Sequence, residues 1–462
     1  MDSEVARTKG VDTLVGDPRR AIKRLSLPMI IAMSLQTAYN LFDAIWVSGL
    51  GSDALAAVGF AFPIFFVIMG LGAGIGIGGS SAIARRIGAN DIEGARKALS
   101  HTLLLALLVS VFVSVSLYMF TEDIFLAMGA GSVAPLASDY GRIVFGGSAT
   151  IILASVLSAT LRGEGDARRS STYLALGSVL NIILDPIFIY GLEMGIAGAA
   201  WATVVAFGIT TLALLRVYIS GRGTYLRLDI RGYRWHRDVN RDVLAVGAPA
   251  SMQFMSMALT QFALIFLILM VDDTDGVAIY STGWRVVSMA VVAIQGIASA
   301  VTPVTGAAFG AKNFEKLSIT HLYSIKYAMG IGGFLMVVLF VFAPQIMTLF
   351  TWSSESAHLF DDLVIFLRIF AFMVPGVAFG MLSSATFQGM GMGVKALIAT
   401  LFRALILSLI FCYVLGIVLG YGLIGIWVGL CSANVLSSLL VFAWVRITIR
   451  KLRDSTPASR PL

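Results

Sequence analysis

The chain alternates long apolar runs with short polar ones. A helix crossing a bilayer needs about 20 mostly apolar residues. By that measure the sequence predicts about twelve spans, near 21–49, 54–84, 97–120, 138–160, 170–191 and 194–219, then 243–271, 276–308, 322–350, 360–390, 396–419 and 422–449. The one long polar interruption, 220–242, separates the sixth span from the seventh. The pattern therefore predicts an all-α membrane protein of twelve transmembrane helices. It divides into a tail (1–20), an N-terminal half (21–219), a linker (220–242), a C-terminal half (243–449) and a second tail (450–462). The polar start and the length of the first apolar run argue against a cleavable signal peptide.

The loops alternate in charge as strictly as the spans alternate in direction. Arg19, Arg20, Lys23 and Arg24 precede the first span, and the next loop, 49–53, has no base. Arg85, Arg86, Arg96 and Lys97 follow, then the acidic stretch 121–139, then Arg162, Arg168 and Arg169, then Glu193 alone. The linker carries Arg222, Arg227, Arg231, Arg234, Arg237 and Arg241. Beyond it, 272–275 and 355–362 are acidic, while Lys312, Lys316 and Lys395 fall on the basic side. Cytoplasmic loops are rich in Lys and Arg, so both termini are expected in the cytoplasm of a multi-pass protein of the cell membrane.

The halves repeat each other. Gly88-Ala89-Asn90-Asp91-Ile92-Glu93 matches Gly310-Ala311-Lys312-Asn313-Phe314-Glu315 at a shift of 222. Ala159-Thr160-Leu161-Arg162-Gly163-Glu164-Gly165 matches Ala385-Thr386-Phe387-Gln388-Gly389-Met390-Gly391 at 226. Gly195 to Gly198 matches Gly422 to Gly425 at 227, and Pro28 matches Pro249 at 221. Six spans per half put both halves in the same orientation, as parallel repeats about an axis along the membrane normal. The expected architecture is two pseudo-symmetric six-helix bundles, an N-lobe and a C-lobe, around a central cleft. Such folds transport by rocking one bundle against the other. No G-x-x-x-x-G-K-[ST] loop is present, so energy would come from an ion gradient.

Two acids, Asp43 and Asp185, sit well inside spans, where a carboxylate costs roughly 2.5–3.5 kcal/mol on insertion scales. Their repeat counterparts are Leu264 and Phe411, so the chemistry is expected in the N-lobe. Asn181 lies four residues before Asp185 on one helix face, with Ser178 beside it. Tyr39 and Asn40 lie one turn before Asp43, and Gln36 about two turns. Pro186 frees a backbone carbonyl next to Asp185. Carboxylate, amide and hydroxyl oxygens suit Na⁺, and the same acids, desolvated, could carry protons instead. Structural bridging between helices is the plain alternative, above all for Asn181. Arg285 could line the cleft or satisfy helix-end carbonyls.

Composition adds exclusions. The chain is 462 residues long, 58% hydrophobic and 13% charged, against about 25% charged in soluble domains. The net charge of +7 lies in loops on one side, which excludes a nucleic-acid face. Cys412 and Cys431 sit in apolar segments and imply no disulfide framework. The four histidines lie near loops without metal-ligand spacing, which argues against an enzyme.

These residues together resemble the multidrug and toxic compound extrusion (MATE) transporters over essentially the whole chain. Leu161 to Asp166 and the Gly-Ala-x-[Asp/Asn]-x-Glu loops carry the likeness, and Tyr39 to Trp46 and Asn181 to Pro186 are similar to the DinF-type and archaeal subgroup. The resemblance implies a cation site of Asp43, Asp185, Asn181 and Thr203, a bend of the first helix at Pro28, and Tyr140 and Ser158 as further cavity residues. NorM-type members carry further acids in the C-lobe, where this chain offers Gln253, Gln261 and Phe372. The implied activity is export of amphipathic, often cationic, small molecules against H⁺ or Na⁺, by a monomer in contact with membrane lipid and without another cofactor. A flippase for a lipid-linked substrate is the alternative within the same fold, and a channel a further one.

Overall fold

The computed structural model describes residues 7–221, 223–228, 235–352 and 357–455. Arg222, Arg231, Arg234 and Glu355 lie outside the described residues, as do the ends of both tails. All regular structure among the described residues is helical. The N-lobe holds α1 (Lys9–Val15), α2 (Pro18–Ser48), α3 (Ser52–Gly88), α4 (Ile92–Met119), α5 (Thr121–Ala127), α6 (Ala134–Gly146), α7 (Ser148–Gly163), α8 (Ala167–Pro186) and α9 (Gly195–Ser220). The C-lobe holds α10 (Arg237–Leu269), α11 (Thr274–Gly310), α12 (Phe314–Val341), α13 (Ala343–Thr348), α14 (Phe360–Ala371), α15 (Met373–Gly389), α16 (Gly393–Thr400), α17 (Ser408–Tyr413) and α18 (Gly422–Asp454). A π-helical turn, Ile187–Gly191, extends α8, and two more join α16 and α17 into one stretch ending at Val418.

Ten of these stretches are long and apolar enough to cross a membrane. The spans expected at 138–160 and 360–390 are bent pairs instead, α6–α7 at 42° and α14–α15 at 44°. Counting each pair as one span gives twelve. The first break falls at Gly146-Gly147, where two residues without Cβ weaken the helix. In the second, Pro375 stands in the first turn of α15, where its ring opposes the carbonyl of Ala371.

The backbone bears out the repeat. Asn90 and Lys312 share a left-handed φ of 59° and 53°, Gly165 and Gly391 of 82° and 79°, and Gly195 and Gly422 of 57° and 62°. Asp91 caps α4 through the Gly94 N–H at 2.8 Å, and Asn313 caps α12 through the Lys316 N–H at 2.9 Å.

The lobes meet through α3, α10, α2 and α11, at the end where the loops are basic. Glycine makes the approach close. A Cβ on Gly78 would fall on the Val243 and Gly247 backbone, one on Gly88 on Ala307, and one on Gly310 on Arg85. The last two contacts are reciprocal under the repeat. Asp242 of α10 ties the same end, accepting from Arg85 at 2.5 Å and Arg86 at 2.6 Å. Ser81 donates to the Gln388 carbonyl at 2.5 Å. Toward the acidic face the lobes part. Gly296 of α11 packs on Ile30 of α2, yet Leu41 and Arg285, eleven residues further along the same helix faces, are exposed.

Two features lie outside the hydropathy pattern. Within the expected tail, Thr8 caps α1, which buries Val11 and Leu14, and Lys316 of the C-lobe donates to the Val15 carbonyl at 2.6 Å. Of the linker, residues 223–228 lie on the N-lobe, and from Arg237 onward it forms the start of α10. Glu164 accepts the Tyr225 and Leu226 N–H groups at 3.0 and 3.2 Å, and Arg169 donates to the Gly223 carbonyl at 2.7 Å.

Candidate cation site

Helix α2 packs along α8, and α8 along α9. That packing brings together residues more than a hundred positions apart. Asn181 and Asp185 are fully buried on one face of α8, and Thr203 of α9 is 6% exposed. The Asn181 amide nitrogen donates to Asp185 Oδ1 at 3.3 Å and to Thr203 Oγ1 at 3.2 Å. Asp43 of α2 lies within electrostatic reach of Asp185, and Tyr39 and Tyr140, both buried, lie within reach of both acids.

What the pocket lacks defines its chemistry. Asp43 Oδ1, Asp185 Oδ2 and Asn181 Oδ1 are all buried without a hydrogen-bond partner. Donating through its nitrogen turns the Asn181 carbonyl oxygen toward no donor at all. Three buried oxygens without donors are costly unless a positive charge or a proton meets them. Among the described residues no group of three or more His, Cys, Asp and Glu gathers. The donor set is carboxylate, amide and hydroxyl, hard oxygens that suit an alkali cation or a proton and not a soft transition metal.

The other expected residues divide. Gln36 is half-buried on α2, and Asn40 is exposed and donates back to the Gln36 carbonyl at 3.1 Å. Pro28 lies inside α2, which runs unbroken from Pro18 to Ser48. Pro186 ends α8 and opens its π-helical turn. Ser158 belongs to a different cluster. It bonds Ser170 at 2.7 Å and accepts from Arg162 at 3.1 Å, and Ser170 in turn points at the Met29 sulfur at 3.9 Å. Ser170 and Asp185 are about 22 Å apart along α8 by the helical rise. Arg285 is exposed on α11 of the C-lobe.

Sequence reasoning missed Tyr190. Its hydroxyl donates to the Trp46 carbonyl at 2.6 Å, and the two rings meet edge to face at 6.4 Å. This contact clasps the end of α8 to the end of α2, one turn beyond Asp43. The π-helical turn after Pro186 aims it, and nothing in the local sequence signals that turn.

Two pseudo-symmetric helical lobes, closed at one face and parted at the other, with a donor-poor cluster of oxygens inside one lobe, define a membrane transporter. The MatE family profile matches residues 28–187 and 249–414, one segment in each lobe, and the chain belongs to this family of multidrug and toxic compound extrusion transporters. It is 28% identical over 441 residues to the probable multidrug resistance protein YoeA of Bacillus subtilis, covering 94% of each chain. It is 26% identical over 383 residues to the multidrug export protein MepA of Staphylococcus haemolyticus, covering 82% of this chain and 84% of that one. The outward-facing structure of a multidrug resistance MATE family transporter of the MOP superfamily superposes with a TM-score of 0.94, at 43% identity and over 97% of this chain and 99% of that one.

Proposed function

We propose that this transporter exports amphipathic or cationic organic compounds against an inward H⁺ or Na⁺ flux, with Asp43, Asp185, Asn181 and Thr203 holding the coupling ion. The three unpartnered buried oxygens carry this reading. An ion arriving there satisfies oxygens on α2 and α8 together, and so draws the two helices into one arrangement. Its departure removes that restraint and lets α2 move against α8. One charge crossing ~100 mV releases about 2.3 kcal/mol, enough to hold a roughly forty-fold gradient of a neutral substrate. The basic face is the cytoplasmic one, the lobes part toward the outside, and the chain acts as a monomer. Names of relatives such as multidrug export protein support the substrate class.

The test is drug efflux from proteoliposomes with Na⁺ and pH gradients imposed separately. Asp43→Asn and Asp185→Asn are each expected to abolish efflux driven by the coupling ion while leaving the protein folded. Full gradient-driven efflux in either variant would refute the assignment.

A further inference from the structure

Helices α8 and α9 enclose a groove at the basic face with a volume of about 630 Å³. Ile209, Leu212 and Val217 of α9 form its apolar wall, Tyr173 of α8 faces them, and Arg169 and Arg216 stand at its mouth. The positions 209, 212, 216 and 217 share one helix face, as do 169 and 173. The wall is open to the bilayer, with Ile209 41% and Leu212 68% exposed.

The charges at the mouth are unequal in use. Arg169 already holds Asp166 at 3.4 Å and the Gly223 carbonyl at 2.7 Å, so its guanidinium is fixed in place. Arg216 is exposed, and among the described residues it takes part in no ion pair. Asp166 offsets one of the two cations, and among the described residues no acid pairs with the other. From Arg216 to Ile209 is about 10 Å along α9. The mouth thus lies at headgroup depth when the apolar wall lies among the acyl chains. A general excess of basic residues on this side would explain an arginine here. It would not explain an apolar groove that leads away from two guanidiniums, one of them held in place.

We propose that this groove binds an anionic phospholipid from the leaflet at the basic face, with its phosphate against Arg216 and Arg169 and an acyl chain along Ile209 and Leu212. Basic pockets between spans recognise such headgroups. The bound lipid also bears on the linker, because the arginine that meets its phosphate holds Gly223.

The test is native mass spectrometry of the purified transporter, titrated with phosphatidylglycerol, with phosphatidylcholine, and with soluble glycerol phosphate. Phosphatidylglycerol is expected to bind more tightly than phosphatidylcholine. Arg216→Gln is expected to weaken phosphatidylglycerol about five-fold, the effect of one near-surface cation. Arg216→Lys is expected to keep most of the binding, and its fold serves as the control for the glutamine variant. Lys312→Gln, exposed in the loop before α12, is expected to change nothing. Equal binding of the two lipids, unchanged binding in Arg216→Gln, or an equal loss in Lys312→Gln would overturn the proposal. So would glycerol phosphate competing as well as the lipid, since the groove would then be a soluble-phosphate site.

Discussion

Asp242 is the hinge-pin of the closed face, and Asp242→Asn is the sharpest perturbation available. Its carboxylate bridges Arg85 and Arg86 at 2.5 and 2.6 Å, from the C-lobe to the N-lobe. The arginine side chains are only 11% and 19% exposed, and that of Asp242 is 34% exposed. Truncating one member of a fully buried charge pair costs about 3–5 kcal/mol, whereas an exposed pair contributes about 0–1. This partly exposed bridge falls between, at about 2 kcal/mol. The bridge exists only while the lobes touch at this face, so the whole cost falls on the closed state. A change of about 2 kcal/mol moves the closed-to-open ratio roughly thirty-fold. Spin labels at Glu93→Cys and Val394→Cys, with Cys412 and Cys431 replaced by alanine, report the gap between the lobes by electron–electron distance measurement. The closed distance is expected to lose population to a longer one in Asp242→Asn. Asp454→Asn, which breaks ion pairs within α18 alone, is expected to leave the distribution as it was. An unchanged distribution in Asp242→Asn would refute the view that this bridge holds the lobes together.

Gly78→Ala sets a Cβ against the Val243 and Gly247 backbone, where nothing can rotate away, at about 1–3 kcal/mol; the same labels should show the face opening, while Gly59→Ala, in open space, should be silent. Glu164 offers a pH test, because burial pushes its carboxyl up to about 8 against the lowering effect of the Leu226 and Tyr225 N–H bonds. A raised folded value means that the stability this acid contributes is complete below its ordinary 4.5 and is lost as pH rises toward 8. Glu164→Gln copies the neutral form, so its melting temperature should fall less than the wild type's between pH 5 and pH 8.5. A wild type that gains on the variant over that interval would contradict the assignment.

Much of this fold is legible in the sequence, because bilayer thickness sets span length and hydropathy reads it directly. The paired glycine loops were legible too, since Gly165 and Gly391 need a left-handed φ that most side chains resist. Hydropathy does not register direction, so the bends at Gly147 and before Pro375 escape it, although Gly-Gly and an early proline are the local signs. The helix α1 escapes for a different reason. Its Val11 and Leu14 follow a capping Thr8 at helical spacing, but the surrounding charges make the segment read as a tail. The Asp242 bridge joins residues 157 positions apart, and no local pattern names such a partner. Within the site, Asn181 and Asp185 share a helix face by spacing alone. Thr203 came only through likeness to a family, and the structure places its hydroxyl on Asn181.

The asymmetry of the two lobes bears directly on how coupling would work. At the repeat positions of Asp43 and Asp185 the C-lobe carries Leu264, which is 2% exposed, and Phe411. Eight residues before Phe411 the C-lobe carries a half-buried base. Arg403, on the π-helical stretch after α16, donates to Asn434 Oδ1 at 2.9 Å, and its Nε is buried without a partner. A fixed guanidinium repels a cation, whereas paired carboxylates attract one. The two lobes share a backbone plan and differ in charge around these positions. A cation entering from the cleft therefore meets attraction on one side only. On the proposed mechanism the ion acts on α2 and α8 within the N-lobe, and the C-lobe serves as the body against which that lobe moves. Cross-lobe contacts such as Asp242 with Arg85 then have a defined part, because they translate a rearrangement inside one lobe into separation of the two.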